Sequence, residues 1–283
     1  MIVRPGIELA NLTDTGCVRE RNEDYYCYFE PDDDEAFRTR GRLLVVADGM
    51  GGHEGGQVAS GIAVEMVRQT WADGTGDPAD LLIAALGNAN GAIREYAREH
   101  PELAGMGTTC TAVALVGDLL YYGHVGDTRL YLIRNGAIRR LTHDHSLVQR
   151  LVDSGAITEE EAAEHPDRNV LVSALGMRGA VSVDVPDGGV PLEPGDTLLV
   201  STDGLHGLVS DAELLDAVTR CEPRQACQEL VQLARDRGGP DNITLQIVRL
   251  DGAPTKAPEP AKARPARSKR TRPEHPAVQP ERS

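Results

Sequence analysis

The sequence of 283 residues is long enough for one large domain or two small ones, and its 40% hydrophobic residues can bury a core made mostly of Leu, Val, Ala and Ile, since aromatic residues are only 4%. The net charge of −15 is uneven, because residues 251–283 carry +4, residues 1–250 carry −19, and all three lysines lie in the final segment. The body therefore excludes P-loop lysine, Schiff-base and Ser-Lys chemistry, and its acidity disfavours nucleic acid as a partner.

Apolar runs and turn signals predict the elements of the body in chain order. They are a strand at 41–46, helices at 56–70 and 79–98, strands at 108–116, 119–125, 129–133, 137–141 and 196–202, helices at 211–219 and 223–237, and a last strand at 242–250. Strands joined by the short turns Gly117-Asp118 and Asn135-Gly136 must be antiparallel. Helices come in pairs between runs of strands, which predicts an α+β fold, a sandwich of antiparallel β-sheets flanked by pairs of α-helices.

The last 33 residues differ in composition from the rest. Residues 251–283 are rich in Pro, Ala and Arg and hold almost no large apolar residue, so we expect a folded domain at 1–250 and a disordered basic tail at 251–283. This tail is either a solvated terminus or a docking segment for an acidic partner or membrane surface.

No stretch reaches the length of a transmembrane segment and the N-terminus lacks a signal-peptide core, so we expect a cytoplasmic protein. Five cysteines without a CxxC pair indicate reduced thiols.

Acidic residues recur where predicted strands meet tight loops. Asp48, Asp127 and Asp203 each follow a strand, Asp241 precedes the last strand, and Glu23-Asp24 precede the apolar run at 25–29. Taken singly, each is equally typical of a cap or turn former. Together, such carboxylates repel one another unless protons or cations offset the charge, and oxygen ligands suit Mg²⁺ or Mn²⁺ better than zinc.

Six strings in this order resemble the type 2C protein phosphatases, the metal-dependent serine/threonine phosphatases. They are Arg19-Glu20-Arg21-Asn22-Glu23-Asp24, Asp48-Gly49-Met50-Gly51-Gly52-His53, Gly107-Thr108-Thr109, Gly126-Asp127-Thr128-Arg129, Asp203-Gly204-Leu205 and Asp241-Asn242-Ile243-Thr244. The resemblance spans about residues 8–249 and is nearest to the short bacterial branch. It implies two packed antiparallel sheets with helices outside.

The resemblance also implies roles for the motif residues. Asp48 would bridge two metal ions, with the Gly49 carbonyl and Glu23 or Asp24 helping at one ion and Asp203 and Asp241 holding the other. Asp127 would bind a third, weaker ion shared with Asp203, and Arg19 would bind the substrate phosphate with its planar fork.

The reaction implied is hydrolysis of phosphoserine and phosphothreonine on proteins by a metal-bridged hydroxide, with Mn²⁺ or Mg²⁺ as cofactor. We expect the partners to be phosphoproteins, including Ser/Thr kinases and their targets, and the protein to be a monomer. Eukaryotic members place a histidine where this chain has Met50, so the proton donor is unassigned, with metal-bound water as a candidate. Cys110 lies within a predicted strand, without a phosphate cradle, and indicates core rather than thiol catalysis.

Residues 142–178 resemble the flap beside the active site of bacterial members, and we expect this segment to be mobile and to gate substrate. His124 and His206 lie near motif acids, and packing or hydrogen bonding is the role expected for them. Two alternatives remain open, an inactive phosphatase-like binding module and a regulatory phosphatase that acts on an anti-sigma-factor antagonist.

Overall fold

A computed structural model describes residues 3–51, 54–177 and 181–251 of the chain. The predicted basic tail, apart from Asp251, lies outside the described residues, as do His53 and the end of the segment 142–178. In the described part, no helix has the length and apolar character needed to span a membrane.

Antiparallel strands form the centre of the molecule. They are β1 (Ile7–Asp14), β2 (Asp24–Phe29), β3 (Arg42–Met50), β4 (Gly107–Thr108), β5 (Cys110–Val116), β6 (Leu119–Val125), β7 (Arg129–Arg134), β8 (Ala137–Arg140), β9 (Val190–Pro191), β10 (Thr197–Ser201) and β11 (Ile243–Leu250). One sheet has the order β1-β11-β10-β7-β8 and the other the order β2-β3-β5-β6-β9, with β4 paired to β3.

The helices are α1 (Asp34–Arg40), α2 (Gly55–Asp73), α3 (Pro78–Glu99), α4 (Leu147–Asp153), α5 (Glu159–Ala163), α6 (Asp203–His206), α7 (Asp211–Arg220) and α8 (Pro223–Asp236). Side-chain caps fix the N-termini of several of these helices. The Asp77 side chain accepts from the backbone N–H groups of the first turn of α3, and Ser210 and Glu213 form a reciprocal capping box on α7.

Three apolar clusters explain why the strands read as continuous apolar runs. On β3, Leu44 and Val46 face the space between the two sheets, whereas Leu43, Val45 and Ala47 face α2 and α3. A third cluster packs α7 and α8 on the outer face of the other sheet. Both faces of the central strands are therefore buried, and the predicted sandwich of two antiparallel sheets with helices outside is confirmed.

The observed elements depart from the predicted ones in places. The edge strand β1 was not predicted, because its Asn and Asp residues are depleted in strands, and neither were the short α1, α4, α6 and β9. The predicted strand at 108–116 is interrupted at Thr109, which lies between β4 and β5. The core is aliphatic as expected, with Trp71 and Tyr131 the largest fully buried side chains.

Candidate active site

The acidic residues singled out from the sequence meet at one end of the sandwich. A cavity of about 900 Å³ opens there, and the predicted site residues that line it are Arg19, Glu23, Asp48, Gly49, Asp127, Asp203 and Asp241. Asp24 does not line the cavity; it lies behind the wall and is only 6% exposed. Segments far apart in sequence thus contribute carboxylates to one concave surface, which is typical of a ligand or metal site.

The backbone of Asp48 is fixed by two threonines, Thr108 at the end of β4 and Thr109 directly after it. The Asp48 N–H donates to Thr109 Oγ1 at 2.9 Å, and its carbonyl accepts from Thr109 N at 2.9 Å and from Thr108 Oγ1 at 2.8 Å. Thr109 Oγ1 is also 2.6 Å from Thr128 Oγ1. The chain leaves the β-ladder at Thr109, so its side chain supplies the acceptor that the ladder would otherwise provide. The motif Gly107-Thr108-Thr109 therefore holds the backbone of Asp48, a role that sequence reasoning did not assign.

Gly49 allows helix α2 to approach the end of β3. A Cβ at Gly49 would lie 2.2 Å from the Gly56 carbonyl oxygen, so only glycine fits between strand and helix. Glu23 is held in the same place, since its carbonyl accepts from Gly49 N at 3.2 Å and from Ser60 Oγ at 2.6 Å. The start of α2 and the segment before β2 are thereby packed against the cavity floor.

Asp24 lies opposite Asp48 in the β2–β3 register. Thr202 Oγ1 donates to Asp24 Oδ2 at 3.0 Å, but Asp24 Oδ1 is buried and has no hydrogen-bond partner within residues 3–51, 54–177 and 181–251. Burial raises the pKa of Asp24 to about 7, although hydrogen bonds from Thr244 and Thr202 oppose that shift. A buried carboxyl with one unpaired oxygen is a costly arrangement that a cation would relieve.

The other acids share this electrostatic environment. Burial, reinforced by the nearby carboxylates, raises the pKa of Asp48 well above its usual range, and burial with the charge of Asp203 does the same for Asp127. Burial and Asp241 also raise the pKa of Asp203, whose Oδ1 is buried and finds no hydrogen-bond partner among the residues that the structure describes. The wall therefore favours either protons or divalent cations at these oxygens.

The donor set fits a hard divalent ion. Carboxylates and the Gly49 carbonyl offer oxygen ligands, and positive charge beside Asp203 Oδ1, which has no hydrogen-bond partner in the described part of the chain, would offset the cost of burying that atom. Within the described ranges, no group of three or more Asp, Glu, His or Cys side chains lies close enough together to hold a metal ion as the side chains stand.

Arg19 and Asp241 form one edge of the cavity. Arg19 Nη2 donates to Asp241 Oδ2 at 2.7 Å, and the side chain of Arg19 is 49% exposed. Partial burial lowers the pKa of Arg19, but the Asp241 carboxylate outweighs it and raises that pKa. Among the described residues, Asp241 is the one hydrogen-bond partner of the Arg19 guanidinium, so its other N–H donors are available to an anion in the cavity.

Asn242 connects the segments that carry these residues. Its Nδ2 donates to the carbonyls of Thr15 and Arg21, both at 2.9 Å, and its Oδ1 accepts from Glu23 N at 2.8 Å. It lies directly after Asp241, so it ties the loop that holds Arg19 to the start of β11. The string Asp241-Asn242 was noted from the sequence, but the role of Asn242 was missed because its partners lie more than 200 residues away.

The rim combines charged and apolar groups. Arg21 and Glu54 pair at 2.7 Å, while Met50, Leu103 and Leu171 supply apolar wall. Among the described residues that line the cavity there is no histidine. Of the predicted flap, Asn169 and Leu171 reach the cavity, whereas Arg168 is exposed and does not line it.

The two histidines near motif acids are structural, as predicted. His124 is fully buried, with Nδ1 2.8 Å from Thr111 Oγ1, and burial lowers its pKa to about 4. His206 Nδ1 lies 3.1 Å from Ser201 Oγ, and burial lowers its pKa well below its usual value. Cys110 is also fully buried in the core, as expected.

Comparison with known proteins links this geometry to an enzyme family. The family model for Protein phosphatase 2C matches residues 29–235. The serine/threonine phosphatase stp of Listeria monocytogenes is 36% identical over 245 residues, which are 84% of this chain and 94% of that protein.

Solved structures agree with the sequence comparison. The S. agalactiae serine/threonine phosphatase superposes with a TM-score of 0.79 at 37% identity, over 87% of this chain and 100% of that one. The catalytic domain of the serine threonine protein phosphatase PstP, in complex with 2 manganese ions, superposes with a TM-score of 0.74 at 34% identity, over 87% and 99% of the two chains.

Proposed function

Because the chain belongs to the Protein phosphatase 2C family of metal-dependent serine/threonine phosphatases, we propose that the acidic cavity is its active site and that Asp48, Asp203 and Asp241 are the principal metal ligands. The Gly49 carbonyl, with Glu23 or Asp24, supports one ion, and Asp127 with Asp203 binds a third. The observation that supports this assignment is the Oδ1 atom of Asp203 in the cavity wall, which is buried and has no hydrogen-bond partner among the described residues.

Two divalent ions, when bound, would offset the carboxylate charge, polarise the phosphoryl group and lower the pKa of the attacking water toward neutrality. The ions proposed are Mn²⁺ or Mg²⁺, and Mn²⁺ is the ion named in the PstP complex.

The chain's own residues bind and orient the phosphate. Arg19 presents its free donors to the phosphoryl oxygens while Asp241 holds the guanidinium in place at 2.7 Å. Thr108 and Thr109 fix the backbone of Asp48, so its carboxylate faces the cavity without reorganising. The apolar side chains of Met50, Leu103 and Leu171 limit water around the phosphoester and contact the residues that flank it.

The substrates are phosphoserine and phosphothreonine in proteins, and we propose that the enzyme reverses bacterial Ser/Thr kinases as a cytoplasmic monomer. The basic segment 251–283 is proposed to be a tail that is not needed for turnover of small substrates. Phosphoproteomics of a deletion strain tests the kinase assignment. Accumulation of kinase targets supports it, and accumulation of a phosphorylated anti-sigma-factor antagonist alone would replace it with the regulatory alternative.

The site assignment is tested by hydrolysis of a phosphothreonine peptide with Mn²⁺ and with EDTA. Asp48→Asn and Asp203→Asn should each reduce kcat/KM by at least about 100-fold, whereas Asp187→Asn, an exposed turn residue, should match the wild type. Activity that persists in EDTA and in Asp48→Asn would remove both the metal role and the assignment.

A further inference from the structure

A four-residue segment between β8 and α4, Thr142-His143-Asp144-His145, holds the loop that carries Asp127. We call residues 142–145 the clasp. It bonds to the chain on both sides of Asp127 and then continues directly into α4, whose N-cap is Ser146. The loop between β6 and β7 is thus fixed from a segment that lies at the base of the flap.

The clasp grips the strand that follows Asp127 through two side chains. Thr142 Oγ1 accepts from Leu130 N at 3.0 Å, and the Asp144 carboxylate accepts from Arg129 Nη2 at 2.6 Å and Nε at 3.1 Å. Burial raises the pKa of Asp144, but Arg129 outweighs it and leaves that pKa below its usual value. This side of the clasp is a charged, bidentate contact of a kind that resists reorientation.

Of the four clasp residues, His145 is the one that bonds to Gly126, the residue before Asp127. His145 N donates to the Gly126 carbonyl at 2.7 Å, and Gly126 N donates to His145 Nδ1 at 3.2 Å. Gly126 has a φ of +109°, and a Cβ there would lie 2.5 Å from Thr109 Cβ. Gly126 therefore has a backbone conformation that favours glycine, and the imidazole of His145 accepts the hydrogen bond from the Gly126 N–H.

The role of acceptor fixes the tautomer of His145. Since Nδ1 accepts from Gly126, the ring proton lies on Nε2, which donates to Asp184 Oδ2 at 3.0 Å. The backbone of Asp184 is itself anchored by paired hydrogen bonds of 3.0 Å with His124. The side chain of His145 is 12% exposed and that of Asp184 is 46% exposed. Asp184 thus orients a ring that orients Gly126.

We propose that His145, oriented by Asp184, is a positioning residue that sets the direction in which the Asp127 carboxylate faces the cavity. The same residue connects that carboxylate to the cavity wall, because the His145 carbonyl accepts from Val172 N at 2.8 Å, next to Leu171. The inference rests on the proposed role of Asp127 as ligand of the weakest-binding ion. His145 acts only through the Gly126 peptide and takes no part in the chemical step.

The test is calorimetric titration of the full-length, metal-free protein with MnCl₂, which reads binding rather than turnover. His145→Gln removes the acceptor for Gly126 N and should weaken the weakest Mn²⁺-binding step about tenfold, with the tighter steps unchanged. His145→Asn places an amide oxygen near the position of Nδ1 and should restore most of that affinity. Asp184→Asn permits the wrong tautomer and should weaken the same step, whereas Asp187→Asn, an exposed residue three positions on, should not.

Asp127→Asn is the reference variant that distinguishes the role of Asp127 as a ligand from the role of His145 as a positioning residue. Should Asp127→Asn leave the weakest step intact, the assignment of Asp127 as a ligand fails. Loss of that step in Asp127→Asn, with wild-type binding in folded His145→Gln and Asp184→Asn, would overturn the positioning role alone. Equal weakening of every step in His145→Gln and His145→Asn would likewise overturn it, because that pattern reports general loss of structure. If His145→Gln does not fold, Asp184→Asn still tests the positioning role, because the side chain of Asp184 is half exposed and its exchange should leave the protein folded.

Discussion

Thr109→Val should damage both stability and catalysis by releasing the backbone of Asp48. Valine keeps the shape of threonine but leaves the Asp48 N–H and the Thr128 hydroxyl without their partners, which lie 2.9 Å and 2.6 Å from Thr109 Oγ1. A buried unpaired N–H costs about 1–3 kcal/mol, so we expect a loss of about 2 kcal/mol in the free energy of unfolding. With Asp48 less well held, kcat/KM should fall about tenfold.

Thr111→Val is the matched control, because Thr111 is equally buried, lies two residues along and bonds to His124 instead of Asp48. Urea unfolding measures stability, and hydrolysis of an aryl phosphate at saturating Mn²⁺ measures activity per folded protein. We expect comparable stability losses but a fall in kcat/KM for Thr109→Val only. Values of kcat/KM within twofold of each other for the two variants would refute the claim that Thr109 acts through Asp48.

Three further outcomes are expected. Asp196→Ala should lower the free energy of unfolding by about 3 kcal/mol, measured in urea, because it removes the buried partner of Arg134, 2.6 Å away, while activity per folded protein stays unchanged. Burial lowers the pKa of His124 to about 4; the unfolded chain binds that proton first, so stability falls between about pH 6.5 and pH 4, by up to about 3 kcal/mol. His124→Gln should show a shallower pH slope than the wild type, and an unchanged slope would contradict this. Arg168→Ala, in the flap, should alter kinetics on phosphopeptides more than on an aryl phosphate, and equal effects would argue against gating.

The sequence predicts the sandwich because its strands are buried on both faces and its turns are short. It also predicts the ligand candidates, since carboxylates at strand ends are recognisable from local context. The roles of Thr109, Asn242 and His145 could not be read in this way. Each acts through backbone groups distant in sequence, and local periodicity carries no information on which loop a side chain will reach.

The strand β1 shows the same limit at the level of the fold. Its pairing with β11 joins the two ends of the domain in antiparallel register, from Ile7 opposite Leu250 to Asp14 opposite Ile243. The residues of β1 have a low intrinsic preference for the strand conformation, and the pairing with β11 stabilises that conformation.

The register that places Asp24 opposite Asp48 favours metal binding but lowers the stability of the ion-free protein. Two acids facing each other across a β-ladder disfavour folding in the absence of ions, so exchange of either for asparagine should make the ion-free protein harder to unfold while abolishing turnover. Laboratory evolution for heat resistance alone, without a screen for activity, would therefore be expected to erode this pair first.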